Sequence, residues 1–272
     1  MLSIERTYQH KQACAHKKRH LRKSHAFTSL TNYVKECLIL DNTNMCRTST
    51  PRVVDLGCGR GADFIRFERR FPGVNYTGID MSENMLSQGP FRHHDRVRLI
   101  CQSIETASLP TADIIWSFMG MQNACSTRSK LKTFLGRIND CLETDGIFLG
   151  AFPNGTRILR DMHHLDDHKQ LYRFCPIPAP NRQEKWYSFT LKDAYENLQE
   201  AAISPAEVFD CAKTLGFEVQ ALSFAEYIRS CASSSDKSEL FSKIVGDAEV
   251  PAWAMRLAEY YTCFVIRKRT VT

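Results

Sequence analysis

Val53-Val54-Asp55-Leu56-Gly57-Cys58-Gly59-Arg60-Gly61-Ala62-Asp63 decides how the rest of this chain reads. A β-branched run ends in an acid, and three glycines follow at alternate positions. That order predicts a buried strand, a tight turn and the start of a helix, with glycine where the backbone must bend or be approached closely. A second short run, Val74-Asn75-Tyr76-Thr77-Gly78-Ile79, ends at Asp80. Two parallel strands joined through a helix bring both carboxyl ends to one sheet edge, where open α/β sheets bind ligands. An acid at that edge accepts both hydroxyls of a ribose.

The residues leave three occupants open for this edge. Gly57, Gly59 and Ala62 satisfy the dinucleotide fingerprint G-x-G-x-x-A, with Asp80 at a suitable distance. The third glycine at 61 and the acid at 55 argue the other way. Asp55 would repel a pyrophosphate, whereas it suits a ligand carrying an amine and a sulfonium, as S-adenosylmethionine does. A structural turn without a ligand is the third reading.

The pattern extends outward as alternation. Residues 26–40 space their apolar positions by three and four, as a helix does. Strands are expected at 52–56, 75–79, 97–101, 112–117 and 146–151, with helices at 61–70, from Ser82, and at 127–142. Pro205 to Leu215 reads as a helix, 217–222 as a strand, and 259–266 as a closing strand. Such alternation predicts a mostly parallel sheet with helices on both faces. The last two strands form an antiparallel hairpin appended to it. Residues 160–185 are polar, with His163, His164 and His168 near Asp166 and Asp167 and with Pro176, Pro178 and Pro180. They read as an insert or lid on an exposed loop, not as a metal site or a new domain.

With 272 residues, 43% hydrophobic and 24% charged, the chain fits one large α/β domain or two small ones. No run of 18 apolar residues is present, so no transmembrane helix is expected. The N-terminus carries no apolar signal region, which argues against secretion. Eleven Cys without a CxxC pair read as reduced, mostly buried small hydrophobes. The net charge of +6 is uneven. Residues 1–35 hold Arg6, Lys11, Lys17, Lys18, Arg19, Arg22, Lys23 and Lys35 against the single acid Glu5. A basic arm over residues 1–20, solvated or in contact with phosphates, therefore precedes a nearly neutral domain at 21–272. His16-Lys17-Lys18-Arg19 also fits a nuclear-import patch.

With these stretches in view, the chain resembles the messenger-RNA cap guanine-N7 methyltransferases over roughly residues 21–268. Thr31-Asn32-Tyr33-Val34-Lys35 is similar to the family's Asn-Asn-Trp-Ile-Lys segment. Phe148-Leu149-Gly150-Ala151-Phe152-Pro153-Asn154 resembles its fifth strand with the following Pro-Asn, and Tyr187-Ser188-Phe189-Thr190-Leu191 its Tyr-x-Phe-x-Leu strand. The resemblance implies a Rossmann-like methyltransferase fold with a seven-stranded, mostly parallel sheet. It implies S-adenosylmethionine as cofactor, met by Lys35, Asp55, Gly57, Gly59, Asp80, Gln102, Ser103 and Phe118. It implies capped RNA as substrate, with Asn32, Arg60, Arg66, Arg92, Gln122, Asn123, Gln199 and Tyr261 as contacts. Other capping enzymes or an activating subunit are implied partners, and the nucleus (the cytoplasm for a viral protein) the implied location.

The departures fall in the guanine pocket. Where the family has His-Tyr after strand 4, this chain has Gln122-Asn123-Ala124. The family's guanine-edge Glu falls at Gln199 or shifts to Glu200. These changes keep two alternatives open: a methyltransferase for another RNA position or a small molecule, and a catalytically silent RNA-binding subunit. No general base is expected, because N7 carries no proton; orientation and electrostatics suffice. Asp63 is expected to cap the helix after the glycines. Trp116 and Cys125 are expected in the core, and Trp186 and Trp253 have no assigned role.

Overall fold

The computed structural model describes residues 24–44, 46, 48–163, 171–246 and 249–269. The basic arm, and His164, Asp166, Asp167 and His168, lie outside them. The chain divides into two compact units. One is drawn from Leu38–Phe152, Ala206–Ala221 and Cys263–Thr272, the other from Met1–Cys37, Pro153–Pro205 and Leu222–Thr262.

The first unit is built on a seven-stranded sheet, of which only Pro153, Leu222–Ser223 and Tyr261–Thr262, at strand ends, are assigned to the other unit. Its strands are β1 (Arg52–Leu56), β2 (Asn75–Asp80), β3 (Val97–Cys101), β4 (Ala112–Phe118), β5 (Leu142–Pro153), β9 (Phe217–Ser223) and β10 (Tyr261–Lys268). They lie in the order β3-β2-β1-β4-β5-β10-β9. Strands β1 to β5 are parallel, with Val53 against Tyr76 and Ile114, and Asp55 against Gly78 and Trp116. The C-terminal strands β9 and β10 are antiparallel. Val53, Val54, Ile114 and Ile115 are all at most 1% exposed, as expected of strands covered on both faces. The chain leaves β1 toward β2 and β3, then returns to β4 on the other side. That reversal puts a topological switch point at the carboxyl ends of β1 and β4, the standard ligand crevice of such sheets.

Aromatic contacts show both faces covered. Helix α2 (Phe64–Arg70) sets Phe64 on Tyr76, with ring centroids 5.7 Å apart, and Phe67 on Trp116 at 5.8 Å. Ile115 pairs with Phe148 and Trp116 with Leu149, so Phe148 faces away from Trp116. There α4 (Arg128–Cys141) packs Phe134 on Phe148 at 6.3 Å, and α6 (Pro205–Thr214) packs Phe209 on Phe152 at 6.1 Å. The short α3 (Glu83–Ser87) starts at Ser82, whose hydroxyl accepts from the Met85 N–H.

Strand β5 begins at Leu142, earlier than the expected 146. Leu142 pairs with Ala112, and the register slips before Ile147 joins Ile114. The slip holds Asp145 at φ +62°, a turn-like kink that reads as a break in sequence.

The second unit carries a three-stranded antiparallel sheet of β6 (Tyr172–Ile177), β7 (Trp186–Leu191) and β8 (Tyr195–Ala201). The segment expected to be a polar loop thus contains a strand. Pro176 is tolerated because β6 is an edge, where a missing N–H need not be paired. The N-terminal part of α1 (His25–Asn42), α5 (Gly155–Asp161) and three later helices complete this unit: α7 (Phe224–Ala232), α8 (Ser235–Ile244) and α9 (Ala252–Ala258). Phe27 meets Phe224 at 6.3 Å, and Tyr33 meets Phe241 edge-on at 5.0 Å.

Candidate cofactor and substrate sites

The glycines after β1 adopt the conformations their spacing requires. Gly57, Gly59 and Gly61 have φ of +79°, +57° and +67°, values open to glycine at little cost. The Gly57 and Cys58 N–H groups both donate to the Ile79 carbonyl, at 2.8 and 3.2 Å. This ties the turn to the end of β2. A Cβ on Gly57 would stand 2.9 Å from the Gly120 Cα, and one on Gly120 2.6 Å from the Leu56 carbonyl oxygen. The loops after β1 and β4 therefore touch through two bare backbones. Ser117, fully buried, strengthens the contact by donating its hydroxyl to the same Leu56 oxygen at 3.0 Å. Gly120 and Ser117 were not marked by sequence reasoning. Their signal is a small residue and a glycine at the end of a strand flanking the switch point.

Asp80 is held from two sides. Oδ2 accepts from the Gly59 N–H at 2.8 Å and Oδ1 from the Ser82 N–H at 2.9 Å. The side chain is 4% exposed, and charge-assisted bonds of this kind fix a carboxylate's plane. Each oxygen retains acceptor capacity, which fits a ribose diol at the end of β2. Gln102 donates its N–H to the Asp80 carbonyl at 3.0 Å, and the Ser103 hydroxyl accepts from Glu105 in a turn. Both therefore stand immediately beyond Asp80.

Asp55 has surroundings that the sequence did not foretell. It is 1% exposed, and the Tyr76 hydroxyl donates to its Oδ2. Burial and then the Asp55 charge push the Tyr76 phenol well above its usual range, so Tyr76 stays a donor. Asp63 does not cap α2. Its carboxylate instead accepts from Trp116 Nε1 at 3.2 Å and from Arg66 Nε at 3.1 Å. The Arg66–Asp63 pair is largely buried, 14% and 13% exposed, so Arg66 serves this network under the glycine loop and does not project as a cation for substrate phosphates. Trp116 is core, and Phe118 stacks on it at 5.5 Å. Burial, with Asp55, Asp80 and Asp63 adding to it, raises the Cys58 thiol far above its normal range.

The other sequence candidates scatter by element. Arg60 donates to Gln88 Oε1 at 2.8 Å, and exposed Arg92 donates to the Ser87 carbonyl and to His93. Both guanidinium groups therefore sit around residues 87–93, beyond α3. Gln122 and Asn123 lie in a 3-10 turn, Gln122–Cys125. Gln122 is 4% exposed and donates to the Met119 carbonyl at 3.2 Å. Met119 itself sits at φ +60° and donates its N–H to Ala151. Cys125 is buried at 3%.

Asn32, Lys35, Gln199 and Tyr261 belong to the second unit. On β8, Gln199 pairs with Ser188 and Glu200 with Tyr187, so the two side chains face opposite ways. Glu200 is 5% exposed and accepts from the Tyr187 hydroxyl at 2.7 Å. Tyr261 is 3% exposed, and its ring lies 5.5 Å from Phe27 and 6.1 Å from Phe224. Burial and the nearby Glu200 charge hold its phenol well above the ordinary value. Of the two candidate acids or amides on β8, the buried acid is Glu200. Among the described residues no cluster of His, Cys, Asp or Glu is arranged to hold a metal ion, and no helix is long and apolar enough to cross a membrane.

A Rossmann-like sheet, a glycine turn packed on a second loop and an acid at the end of β2 fit an S-adenosylmethionine-dependent methyltransferase, the class that the comparisons support. Residues 53–146 match the family described as a methyltransferase domain. Three similar proteins sharpen the comparison. The mRNA cap guanine-N(7) methyltransferase of Schizosaccharomyces pombe is 24% identical over 65% of this chain, an alignment that spans only 55% of the relative's own length. The mRNA cap guanine-N(7) methyltransferase 1 of Oryza sativa is 23% identical over 88% of this chain and 74% of its own. The crystal structure of an S-adenosylmethionine-dependent methyltransferase from Clostridium acetobutylicum shares the fold at a TM-score of 0.53 and 15% identity, covering 90% of this chain and 92% of that one.

Proposed function

We propose that this methyltransferase modifies N7 of the guanosine cap at the 5′ end of messenger RNA. The observation that carries the reading is the buried carboxylate of Glu200, held by the Tyr187 hydroxyl, in a chain similar along most of its length to enzymes named for that reaction. Guanine offers an N1–H and a 2-amino group on one edge, and a buried anion is the strongest acceptor for such a pair. The same anion favours the positive charge that methylation leaves on the purine.

The residues of the cofactor crevice have binding and orienting roles. Asp80 takes the ribose, and the Gly57–Gly120 contact keeps the backbone open at the turn. Gln102 and Ser103 border the adenine. S-adenosylmethionine, once bound, supplies an electrophilic methyl on a sulfonium. N7 has an in-plane lone pair and no proton, so the protein needs to align the acceptor, not deprotonate it. Arg60 and Arg92 are the cations assigned to the triphosphate bridge; Arg66, committed to Asp63, is not.

The test is incubation of the purified chain with methyl-labelled S-adenosylmethionine and RNA bearing an unmethylated guanosine cap. Label released as 7-methylguanosine cap is the expected result. Gln122, which stands where the family has His and is turned inward onto Met119, favours a second reading: a related acceptor. Label appearing only on uncapped RNA or on a small-molecule panel would establish that reading and end the first.

A further inference from the structure

On one face of the three-stranded sheet, β6 contributes Tyr172 and Phe174, β7 contributes Tyr187, Phe189 and Leu191, and β8 contributes Glu200. The pairings Phe174–Phe189, Pro176–Tyr187 and Tyr187–Glu200 set these residues side by side. The five apolar or aromatic members are all at most 3% exposed. A carboxylate in such a face is costly unless it is hydrogen-bonded, and its orientation is then set by whatever donates to it. One donor here is a neutral phenol. The Tyr187 hydroxyl reaches Glu200 Oε2 at 2.7 Å.

The phenol is itself rigid. Its ring meets Phe174 edge-on at 5.7 Å and 74°, and Phe174 stacks on Phe189 at 4.9 Å. Tyr187 is completely buried. Burial first, and the Glu200 charge second, raise its phenol well above the ordinary tyrosine value, so it donates throughout the physiological range. A salt-bridging Lys or Arg would neutralise the acid and compete with a ligand's N–H groups. A neutral donor fixes the carboxylate's plane without adding a positive charge of its own.

We propose that Tyr187 is a positioning residue: by donating to Oε2 it sets the direction in which Glu200 presents its carboxylate, and so sets discrimination for a purine carrying a 2-amino group. This inference rests on the reading of Glu200 as the guanine-edge acceptor. Tyr187 itself touches no reacting atom, so its effect falls on KM and on the choice of base.

The experiment compares guanosine-capped with inosine-capped RNA, which differ only in the 2-amino group, as substrates of the full chain and its variants. The unaltered protein is expected to prefer the guanosine cap. In Tyr187→Phe the KM for the guanosine cap should rise by about tenfold, the scale of one hydrogen bond to a charged group. The KM for the inosine cap should change less, kcat should hold within about twofold, and affinity for S-adenosylmethionine by calorimetry should be unaltered. Glu200→Asp provides a second route should Tyr187→Phe fold poorly. It keeps the charge but withdraws it from the phenol, and it should lose the same discrimination. Equal losses on both caps, or an unchanged preference in either folded variant, would overturn the proposal. So would an unaltered protein that methylates both caps equally well, leaving cap methylation itself standing. An unaltered protein that methylates neither cap removes the functional reading first, and this inference with it.

Discussion

At the scale of single residues, the cofactor crevice depends on two side chains with different duties. Asp80 is a ligand-facing acid whose geometry is preset by Gly59 and Ser82. Asp80→Ala is expected to weaken S-adenosylmethionine binding by roughly 100-fold, two charge-assisted hydrogen bonds to the ribose at about 1.5 kcal/mol each. Calorimetry with the purified variant checks it, and an affinity within a few-fold of the original would remove the ribose assignment. Asp55, expected to face the amine and sulfonium, is buried, and one of its oxygens accepts from the Tyr76 hydroxyl. Gly57 is sensitive for a steric reason. A methyl at φ +79° and 2.9 Å from Gly120 Cα is strained twice over, so Gly57→Ala should cost about 1–3 kcal/mol of stability. It should also push the β1 and β4 loops apart. Thermal unfolding together with cofactor titration reads both effects, and a variant matching the parent in each would show that the close approach is dispensable.

At the scale of elements, legibility tracked locality. The strand–glycine–helix run at 53–63 was readable because each step is enforced by neighbouring residues, and Asp80 followed from it. The Trp116–Asp63 bond of the network was not, since it joins residues 53 positions apart; in isolation, an acid before a helix reads as a cap. Strand β8 escaped notice because Tyr195-Glu196-Asn197-Leu198-Gln199-Glu200-Ala201 is mostly polar, and Asn197 stands at φ +50°. Helix α7 did carry a signal, a capping box between Ser223 and Glu226, within a stretch otherwise read as a connection. Pairing of β1 with β4 supplies an element-scale prediction. Asp113 accepts from the Arg52 N–H at 2.8 Å and from its guanidinium at 3.0 and 3.1 Å, and Arg52 also reaches Glu143. Burial alone would raise the Asp113 carboxyl, but the Arg52 bonds outweigh it and hold it below its ordinary value. A carboxylate lowered in the folded state stabilises above its unfolded pKa of about 4 and loses that contribution as pH falls through the folded value. Asp113→Asn should therefore be less stable by about 1 kcal/mol at neutral pH, the modest figure reflecting partial solvent screening. The gap in melting temperature should close progressively below about pH 4. A gap that is constant from pH 7 to 3 would show that the ion pair is not its source.

At the scale of the whole molecule, charge distribution separates the two ligands. The cofactor crevice is built from carboxylates and bare backbone, so its affinity should respond weakly to salt. RNA is a polyanion, and the chain's positive charge is concentrated at its start: residues 1–23 carry seven Lys and Arg against Glu5 alone, while the full chain has a net charge of only +6. Under the proposed function those cations meet RNA phosphates and release counterions on binding. Each phosphate neutralised contributes about 0.7 to the slope of log K against log salt for a single strand. Deleting residues 1–23 should thus flatten that slope by roughly 2–4 units, with a loss of RNA affinity that is greatest at low salt. The affinity for S-adenosylmethionine should not move, because every residue assigned to it lies beyond position 23. Filter binding across a salt series, with calorimetry on the same preparations, measures the two quantities side by side. An undiminished salt slope would leave Arg60 and Arg92 to account for phosphate recognition and would remove the arm from it.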